Sequence, residues 1–235
     1  MHYRKPDPRI AAMIVDALGD ARSVVNVGAG AGSYEPRDRD VTAVEPSEAM
    51  IAQRPPDAAP AIKGTAERLP FADKSFDAAM ALLTVHHWPD IRAGLREMKR
   101  VARKRCVAFT WEVPATPFWL TRDYFPEILE RDRHAFSPAP FREMFGRVET
   151  RIVPIPHDCS DGFLCAYWRR PEMYLDPGAR AAISSFSYLG DVSARIAELA
   201  RDIDDGSWAR RNAELLGKTE IDCGYRLLAA ERLDA

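Results

Sequence analysis

The sequence lacks any apolar run as long as the roughly 20 residues that a membrane-spanning helix needs. Its amino-terminal stretch, MHYRKPDPRI, also lacks the apolar segment of a secretory signal. These two absences predict a cytoplasmic protein that has no membrane partner.

The sequence also has no excess of charge of either sign. It carries 33 Lys and Arg against 35 Asp and Glu, which gives a formal net charge of -2 over 235 residues. Nucleic-acid-binding proteins usually show a basic patch or stripe, and no such stripe is visible. We therefore expect no nucleic-acid partner. The chain is expected to be a monomer or a homodimer.

Cysteine is scarce, and its spacing excludes the common metal and redox motifs. The four residues form no C-x-x-C pair, which favours reduced thiols in the core. His86 and His87 are adjacent but have no nearby set of Cys or acidic ligands, so we predict no metal site. The cysteines are Cys106, Cys159, Cys165 and Cys223.

The most informative turn has three glycines but lacks one at a position where a nucleotide-binding motif requires it. Residues 27–33 read VGAGAGS, with Ser33 where the dinucleotide fingerprint G-x-G-x-x-G requires glycine. Gly28 and Gly30 still allow a ligand to approach the backbone closely, and amides at such a turn can face an anionic group. The turn therefore predicts a nucleotide-like ligand, and its spacing disfavours a pyrophosphate.

Glu45 follows this turn at the end of a second apolar strand. An ionised carboxylate there can accept hydrogen bonds from both hydroxyls of a ribose. A glutamate at a strand end can equally be a solvated surface charge. The preceding glycine turn favours the ribose interpretation.

The first half alternates short apolar strands with amphipathic helices, as in right-handed βαβ units. Strands are predicted at 23–27, 41–45, 59–63, 75–83 and 105–111. Helices are predicted at 8–18, from Pro46 and Ser47 to about Gln53, and at 91–102 after an Asp90 cap. This rhythm predicts an α/β protein with an open parallel sheet, whose ligands bind at the carboxyl ends of the strands.

The second half is richer in aromatic residues and mostly helical in pattern. We expect a single domain whose cofactor-binding core comprises about 20–112, 148–156 and 221–233, with strands at 148–156 and 222–233. Segments 1–19, 113–147 and 158–217 are expected to form a helical cap or lid, with helical patterns at 161–170, 176–186 and 191–203. The aromatic side chains are mostly expected in the core, and some could line an acceptor pocket with His134, His157 or Arg169.

Three stretches together resemble a known family. VVNVGAGAGSYE, VEPS and GTAERLPFADKSFDAAMALLTVHHWPD are similar, in order and spacing, to class I S-adenosylmethionine-dependent methyltransferases of the ubiquinone- and menaquinone-biosynthesis type. The resemblance covers residues 22–112 closely. It implies a Rossmann-like, doubly wound, mostly parallel seven-stranded sheet with an antiparallel last strand. It also implies S-adenosylmethionine as cofactor and methyl transfer to a small molecule.

The resemblance also implies roles for individual residues. The methionine part of the cofactor would lie against the glycine turn, the ribose on Glu45, and the adenine near residues of the second and third strand ends. The sulfonium would lie beside the end of the fourth strand. The implied cofactor-binding residues are Gly28, Ala29, Gly30, Gly32, Glu45, Pro46, Ala66, Glu67, Leu82, Leu83 and His87.

Two features depart from the family pattern. Thr65 stands where related sequences often have an aspartate that contacts adenine, so backbone groups or Glu67 would have to replace that contact. Residues 28–40, which include Pro36, are too few for the usual full helix after the glycine turn. A parallel crossover normally needs a dozen or more residues, and we therefore expect this helix to be very short or missing.

Two residues keep two interpretations each. His86 follows the fourth strand and could act as a base or substrate contact, since histidine titrates near neutral pH; it could instead satisfy backbone groups at the turn. Arg4 could pair with the cofactor carboxylate, as a basic residue near the amino terminus does in some related enzymes. It could also be a disordered terminal arginine.

Three functions remain to be compared. Methyl transfer to oxygen, nitrogen or carbon of a small molecule is the leading hypothesis. A non-catalytic regulatory protein that binds S-adenosylmethionine would share the glycine turn and Glu45. A nicotinamide-dependent oxidoreductase is disfavoured by Ser33 and by residues 62–90.

Overall fold

The computed structural model of the protein describes residues 3–114, 116–135 and 137–231, and the side chains of all these except 132–135. Residues 232–233 of the predicted last strand and the His134 side chain lie outside this description. The strands are β1 Ser23–Val27, β2 Asp40–Glu45, β3 Ala61–Lys63, β4 Phe76–Leu82, β5 Ala102–Trp111, β6 Glu149–Ile152, β7 Ile155–Pro156, β8 Glu220–Ile221 and β9 Tyr225–Glu231.

Ten α-helices lie within the described residues. They are α1 Pro8–Leu18, α2 Glu48–Ala52, α3 Ile91–Val101, α4 Trp119–Asp123, α5 Pro126–Ala135, α6 Ala139–Phe145, α7 Pro177–Ala181, α8 Ser193–Asp204, α9 Ser207–Arg211 and α10 Ala213–Leu216. Short 3₁₀ turns occur at Val85–His87, Pro171–Leu175 and Ser184–Phe186.

Within the described residues, seven strands form one sheet in the order β3-β2-β1-β4-β5-β9-β6. The first five in this order pair in parallel, whereas β9 runs antiparallel to both β5 and β6. The strand order reverses next to β1, which places the carboxyl ends of β1, β2 and β4 side by side at the position where open α/β sheets bind ligands. The predicted fold class is confirmed.

The sheet core follows from the apolar strands in its middle. Val24, Val25 and Val27 of β1 have no exposed surface, because both faces of this strand are covered. On one face α3 buries Leu95, Met98 and Val101. Asp90 caps this helix by accepting the Ala93 amide at 2.9 Å, as expected for an N-cap aspartate.

The link between β1 and β2 contains no helix. Residues 28–39 form only turns and irregular backbone before β2 begins at Asp40. The expectation of a very short or missing helix after the glycine turn is confirmed. The backbone polar groups of this link therefore need partners other than a helical ladder.

The second half differs from its predicted pattern in two places. The predicted strand 148–156 is divided: β6 joins the main sheet, whereas β7 pairs with β8 in a separate two-stranded ribbon. Residues 161–170, predicted as helical, form consecutive turns. An apolar run that is buried on all sides has no face for periodicity to mark, so its pattern does not distinguish a helix from successive buried turns.

The described chain divides into two compact units. The sheet unit contains the described residues of Pro8–Glu112, Phe136–Ile152 and Tyr225–Ala235, and the helical unit contains those of Met1–Asp7, Val113–Ala135 and Val153–Gly224. α1 contacts β5 and β9, and α6 contacts α3. Both helices therefore belong to the sheet unit, whereas the sequence had assigned their segments to the cap.

The helical unit has its own aromatic core. Trp119 packs edge-on against Tyr174 and Trp208, with ring centroids 5.5 and 5.3 Å apart. The Trp119 indole donates to the Trp168 carbonyl at 2.9 Å, and the Tyr174 hydroxyl donates to Leu164 at 2.6 Å. These aromatic residues form the core of the helical unit, as expected for most of them.

All four cysteines are buried, and none of them forms a disulfide bond. No helix among the described residues is long and apolar enough to cross a membrane.

Candidate functional site

The glycine turn begins where β1 ends. Gly28, Gly30 and Gly32 have φ values of 70°, 53° and 90°, in the left-handed region that favours glycine. A Cβ on Gly28 would lie 2.2 Å from Oγ1 of Thr84, which follows β4. Glycine at position 28 therefore lets the turn pack directly against the end of the neighbouring strand.

Four amides of this turn have partners in the protein. Gly28 and Ala29 both donate to the Val44 carbonyl of β2, at 2.8 and 3.1 Å, and Gly32 donates to the Ala29 carbonyl at 3.0 Å. The Gly30 amide donates to the Glu45 carboxylate. The Gly30 amide thus faces an anionic group of the protein itself, whereas the amides of Gly28, Ala29 and Gly32 donate to backbone carbonyls. The expectation that the turn faces an anionic part of a ligand stays a prediction.

Glu45 ends β2 and is only 6% exposed. Its Oε2 accepts the Gly30 amide at 2.7 Å, and its Oε1 accepts the Ser47 amide at 2.9 Å. Each carboxylate oxygen has a further lone pair, so the group can still accept hydrogen bonds from a diol. This arrangement excludes the solvated surface charge that the sequence left open for Glu45.

The predicted adenine residues lie after β2 and β3. The Gly64 amide donates to the Glu45 carbonyl at 3.2 Å, which joins the ends of the two strands. Ala66 is buried beside Trp88 and Gly94, whereas Pro46 is exposed. Glu67 Oε1 accepts the Asp90 amide at 3.3 Å, so this carboxylate ties the segment after β3 to the start of α3.

The end of β4 carries a strained residue. Leu83 has a φ of 54°, and its amide donates to the Phe109 carbonyl of β5 at 2.7 Å. Non-glycine residues in the left-handed region cost energy and cluster at functional sites. Leu82 and Leu83, the two predicted sulfonium neighbours, thus lie at the same edge of the sheet as the glycine turn.

His86 and His87 lie in the 3₁₀ turn that follows. The His87 amide donates to the Thr84 carbonyl at 2.8 Å, and the two imidazole centroids are 3.9 Å apart. Burial, and secondarily the nearby His87, lowers the pKa of His86 from 6.5 to about 3. His86 is therefore a neutral imidazole at pH 7 and a weak base, which sequence reasoning did not anticipate.

Arg4 lies in the helical unit, whereas the glycine turn lies in the sheet unit. Its Nε donates to Oδ1 of Asp161 at 2.6 Å, and the Asp161 side chain is 1% exposed. Arg4 is thus a fixed residue with a buried acidic partner, and the disordered-terminus interpretation is wrong. Its pairing with a cofactor carboxylate stays a prediction.

The comparisons with known proteins agree with this geometry. The Methyltransferase domain family matches residues 25–109. A crystal structure from Anabaena variabilis, provisionally described as a methyltransferase from an antibiotic biosynthesis pathway, is 35% identical to this chain. It superposes with a TM-score of 0.89 over 98% of this chain and 99% of that one. The chain belongs to the class I S-adenosylmethionine-dependent methyltransferases.

Curated relatives of this methyltransferase include two demethylmenaquinone methyltransferases. The one from Roseiflexus is 33% identical over 111 residues, covering 46% of this chain and 47% of that protein. The one from Mycolicibacterium vanbaalenii is 34% identical over 156 residues, covering 65% of each chain. The chain thus spans about half the length of the first relative and just under two thirds of the second. The resemblance recognised in the sequence is confirmed at the level of the family.

The segment that follows β1 is also held by three buried side chains that sequence reasoning missed. Glu35 and Arg54 form an ion pair whose side chains are 7% and 6% exposed, and Asn26 of β1 donates to Glu35 at 3.0 Å. In the sequence, both charged residues resemble ordinary surface positions. The only signal was the missing helix after the glycine turn, which leaves backbone groups that something else must bind.

Proposed function

We propose that the protein transfers a methyl group from S-adenosylmethionine to a small-molecule acceptor, at oxygen, nitrogen or carbon. The observation that carries this proposal is the buried Glu45 carboxylate, which holds the Gly30 amide and still has acceptor capacity for a ribose diol. The membership of the chain in the methyltransferase family supports it. In this proposal, the Glu45 side chain links the glycine turn, which would hold the methionine part, to the position of the ribose.

S-adenosylmethionine, when bound, supplies a methyl group that its positive sulfur already activates. The protein residues then have to hold the cofactor, align the acceptor and exclude water. We propose that the glycine turn holds the methionine part, Glu45 the ribose, the ends of β2 and β3 the adenine, and the end of β4 the sulfonium. The proposed residues are Gly28, Ala29, Gly30, Gly32, Glu45, Pro46, Ala66, Glu67, Leu82, Leu83 and His87.

The occupied amides of the turn support this cofactor over a dinucleotide. A pyrophosphate in a Rossmann fold accepts hydrogen bonds from the amides of the glycine turn and the following helix. Here the amides of residues 28, 29, 30 and 32 have internal partners, and no helix follows β1. A nicotinamide-dependent oxidoreductase is therefore disfavoured by geometry as well as by Ser33.

We propose that His86 contacts the acceptor. Because its pKa is lowered to about 3, the neutral imidazole can accept a hydrogen bond throughout the neutral range. A base this weak gives little driving force for removing a proton. Its proposed role is therefore to orient the nucleophile, and to take a proton only from an acceptor that is itself acidic.

The proposal also covers the helical unit, Arg4, the location of the protein and its partners. We propose one methyltransferase domain in which the helical unit acts as the acceptor-selecting cap and Arg4 as a partner of the cofactor carboxylate. A cytoplasmic location, a small-molecule acceptor, the absence of a nucleic-acid partner and a monomeric or homodimeric state complete it. The near-neutral charge balance supports the exclusion of nucleic acid.

Isothermal calorimetry with S-adenosylhomocysteine and with NAD tests the cofactor assignment. We expect the first to bind and the second to show no heat; the opposite result would refute the proposal. Glu45→Gln should weaken S-adenosylhomocysteine binding by about tenfold or more, since one charged acceptor is worth roughly 1.5–3 kcal/mol. Glu48→Gln, on exposed α2 near Glu45, is the matched control and should bind like the wild type.

A turnover assay distinguishes a catalytic protein from a regulatory protein that only binds S-adenosylmethionine. If the wild-type protein binds S-adenosylhomocysteine but releases none from S-adenosylmethionine with any member of an acceptor panel of phenols, quinols and amines, the non-catalytic function is favoured. Turnover with an acceptor, together with a large loss of kcat and little change in cofactor affinity for His86→Ala, supports the proposed roles.

A further inference from the structure

A buried ion pair between Arg54 and Glu35 contacts the glycine turn. Arg54 Nη2 lies 2.8 and 2.7 Å from the two carboxylate oxygens of Glu35. Both side chains are more than nine-tenths buried. Burying two charges carries a large desolvation cost, which an interior pair offsets only with close geometry and additional hydrogen bonds.

The additional hydrogen bonds join the pair to the surrounding backbone. Glu35 accepts the Asn26 side-chain amide at 3.0 Å and the Ala59 amide at 3.2 Å. Arg54 donates to the Ala59 carbonyl at 2.9 Å. The pair therefore fastens the link 28–39 to β1 on one side and to the segment before β3 on the other.

The pair also acts on the turn itself. Arg54 Nη1 donates to the Gly30 carbonyl at 3.1 Å, while the Gly30 amide donates to Glu45 at 2.7 Å. The backbone of Gly30 is thus held by a cation at its carbonyl and by an anion at its amide. Gly30 has the greatest conformational freedom of any residue type, so an unrestrained turn here would sample many shapes.

We propose that Arg54 and Glu35 are positioning residues that hold the glycine turn in the shape that binds the amino-acid part of S-adenosylmethionine. In this chain, the two residues restrain the backbone of the turn, as a helix after β1 would otherwise do. The proposal rests on the proposed function, because it assigns a role at the same cofactor site.

A purely structural role predicts something different. If the pair only stabilised the sheet unit, its loss would lower the melting temperature without changing the preference of the folded protein among ligands. If it positions the turn, its loss lowers the fraction of binding-competent turn and raises the apparent Kd by the same factor. The effect should then be confined to ligands that carry the amino-acid part.

The experiment compares two ligands on four proteins. S-adenosylhomocysteine and 5′-methylthioadenosine share the adenosine and the sulfur, but only the first carries the amino-acid part. Their Kd values are measured by calorimetry for the wild type, Glu35→Gln, Arg54→Lys and Asp77→Asn. Asp77 is a matched control, because it is a buried carboxylate at the amino end of β4 that accepts the Arg22 and Ser23 amides and pairs with Arg103.

We expect Glu35→Gln to raise the Kd for S-adenosylhomocysteine about tenfold or more while changing that for 5′-methylthioadenosine less than about twofold, as for a turn with a tenth of its competent population. Asp77→Asn should lower the melting temperature and leave both Kd values within about twofold. Arg54→Lys keeps a buried cation but loses the guanidinium fork, and it carries the same readout if Glu35→Gln does not fold.

The outcomes separate the two proposals. A wild-type protein that binds neither ligand removes the proposed cofactor site and this proposal with it. A wild-type protein that binds S-adenosylhomocysteine, together with pair variants that keep the wild-type ratio of the two Kd values, overturns the positioning role alone. An equal weakening of both ligands has the same meaning, since it shows a loss that does not depend on the turn.

Discussion

Two crossovers of the same sheet are held in opposite ways. Residues 83–101 join β4 to β5 through α3, whose Leu95 and Met98 have no exposed surface and pack into the core. Residues 28–39 join β1 to β2 without a helix, and their fixed points are the Glu35–Arg54 pair and the Glu45 carboxylate. The first link is held mainly by apolar packing and the second by charge-assisted hydrogen bonds.

This difference determines how well each link should tolerate amino-acid substitutions. Apolar packing depends on volume and accepts another side chain of similar size. A buried ion pair depends on direction and charge, and removal of one partner leaves the other charged and desolvated. The link that carries the proposed cofactor turn is therefore the less tolerant of the two to sequence change.

The largest expected effect comes from breaking the ion pair on one side. Arg54→Met should lower the free energy of unfolding by about 3–5 kcal/mol, because the Glu35 carboxylate stays buried without its cation. The double variant Arg54→Met, Glu35→Gln should lose less than the sum of the single changes. Urea unfolding measures all three, and an additive result would show that the two residues are not coupled.

A somewhat smaller loss of stability is expected from a cavity in the core beneath α3, the helix of the crossover from β4 to β5. Leu95→Ala should lower the free energy of unfolding by about 2–5 kcal/mol through the cavity it leaves. Leu95→Met, which conserves volume, should cost less than about 1.5 kcal/mol. If Arg54→Lys proved as harmless as Leu95→Met in the same urea experiment, the contrast between the two links would be lost.

The effect that is smallest near pH 7 concerns His86, at the start of the helical crossover, and it grows as the pH falls. The unfolded chain takes up a proton near the ordinary pKa of 6.5, whereas the folded protein does so only near 3. Stability should therefore fall as pH decreases from about 6.5 toward 3. His86→Asn should reduce this fall in chemical-denaturation series between pH 7 and 4, and a slope equal to the wild type would contradict the lowered pKa.

The sequence predicted those parts of the molecule whose pattern is local. β1 and α1 were predicted with their observed bounds, since a short apolar strand and a helix between Pro8 and Gly19 are marked by the residues themselves. The capping role of Asp90 was also predictable. Ser33 disfavours a dinucleotide and Glu45 favours a ligand with a ribose, and that ligand stays a prediction.

What the sequence could not predict depends on contacts between distant residues. In the sequence, Glu35 and Arg54 look like surface charges, and only the fold buries them together. The low pKa of His86 results mainly from burial, which the residues next to it in the sequence do not indicate. The division of residues 148–156 between two sheets depends on β9 and β8, which come much later in the chain.

The position of β9 has a consequence for synthesis. β9 lies between β5 and β6 in the sheet, yet it follows β6 in the chain by the whole of α7–α10. During translation, β5 and β6 therefore both emerge from the ribosome before the strand that pairs with them. A chain interrupted before Tyr225 presents two open strand edges at once, and such edges promote association between molecules. Chaperone capture of the nascent chain should consequently end only when β9 has left the ribosomal tunnel.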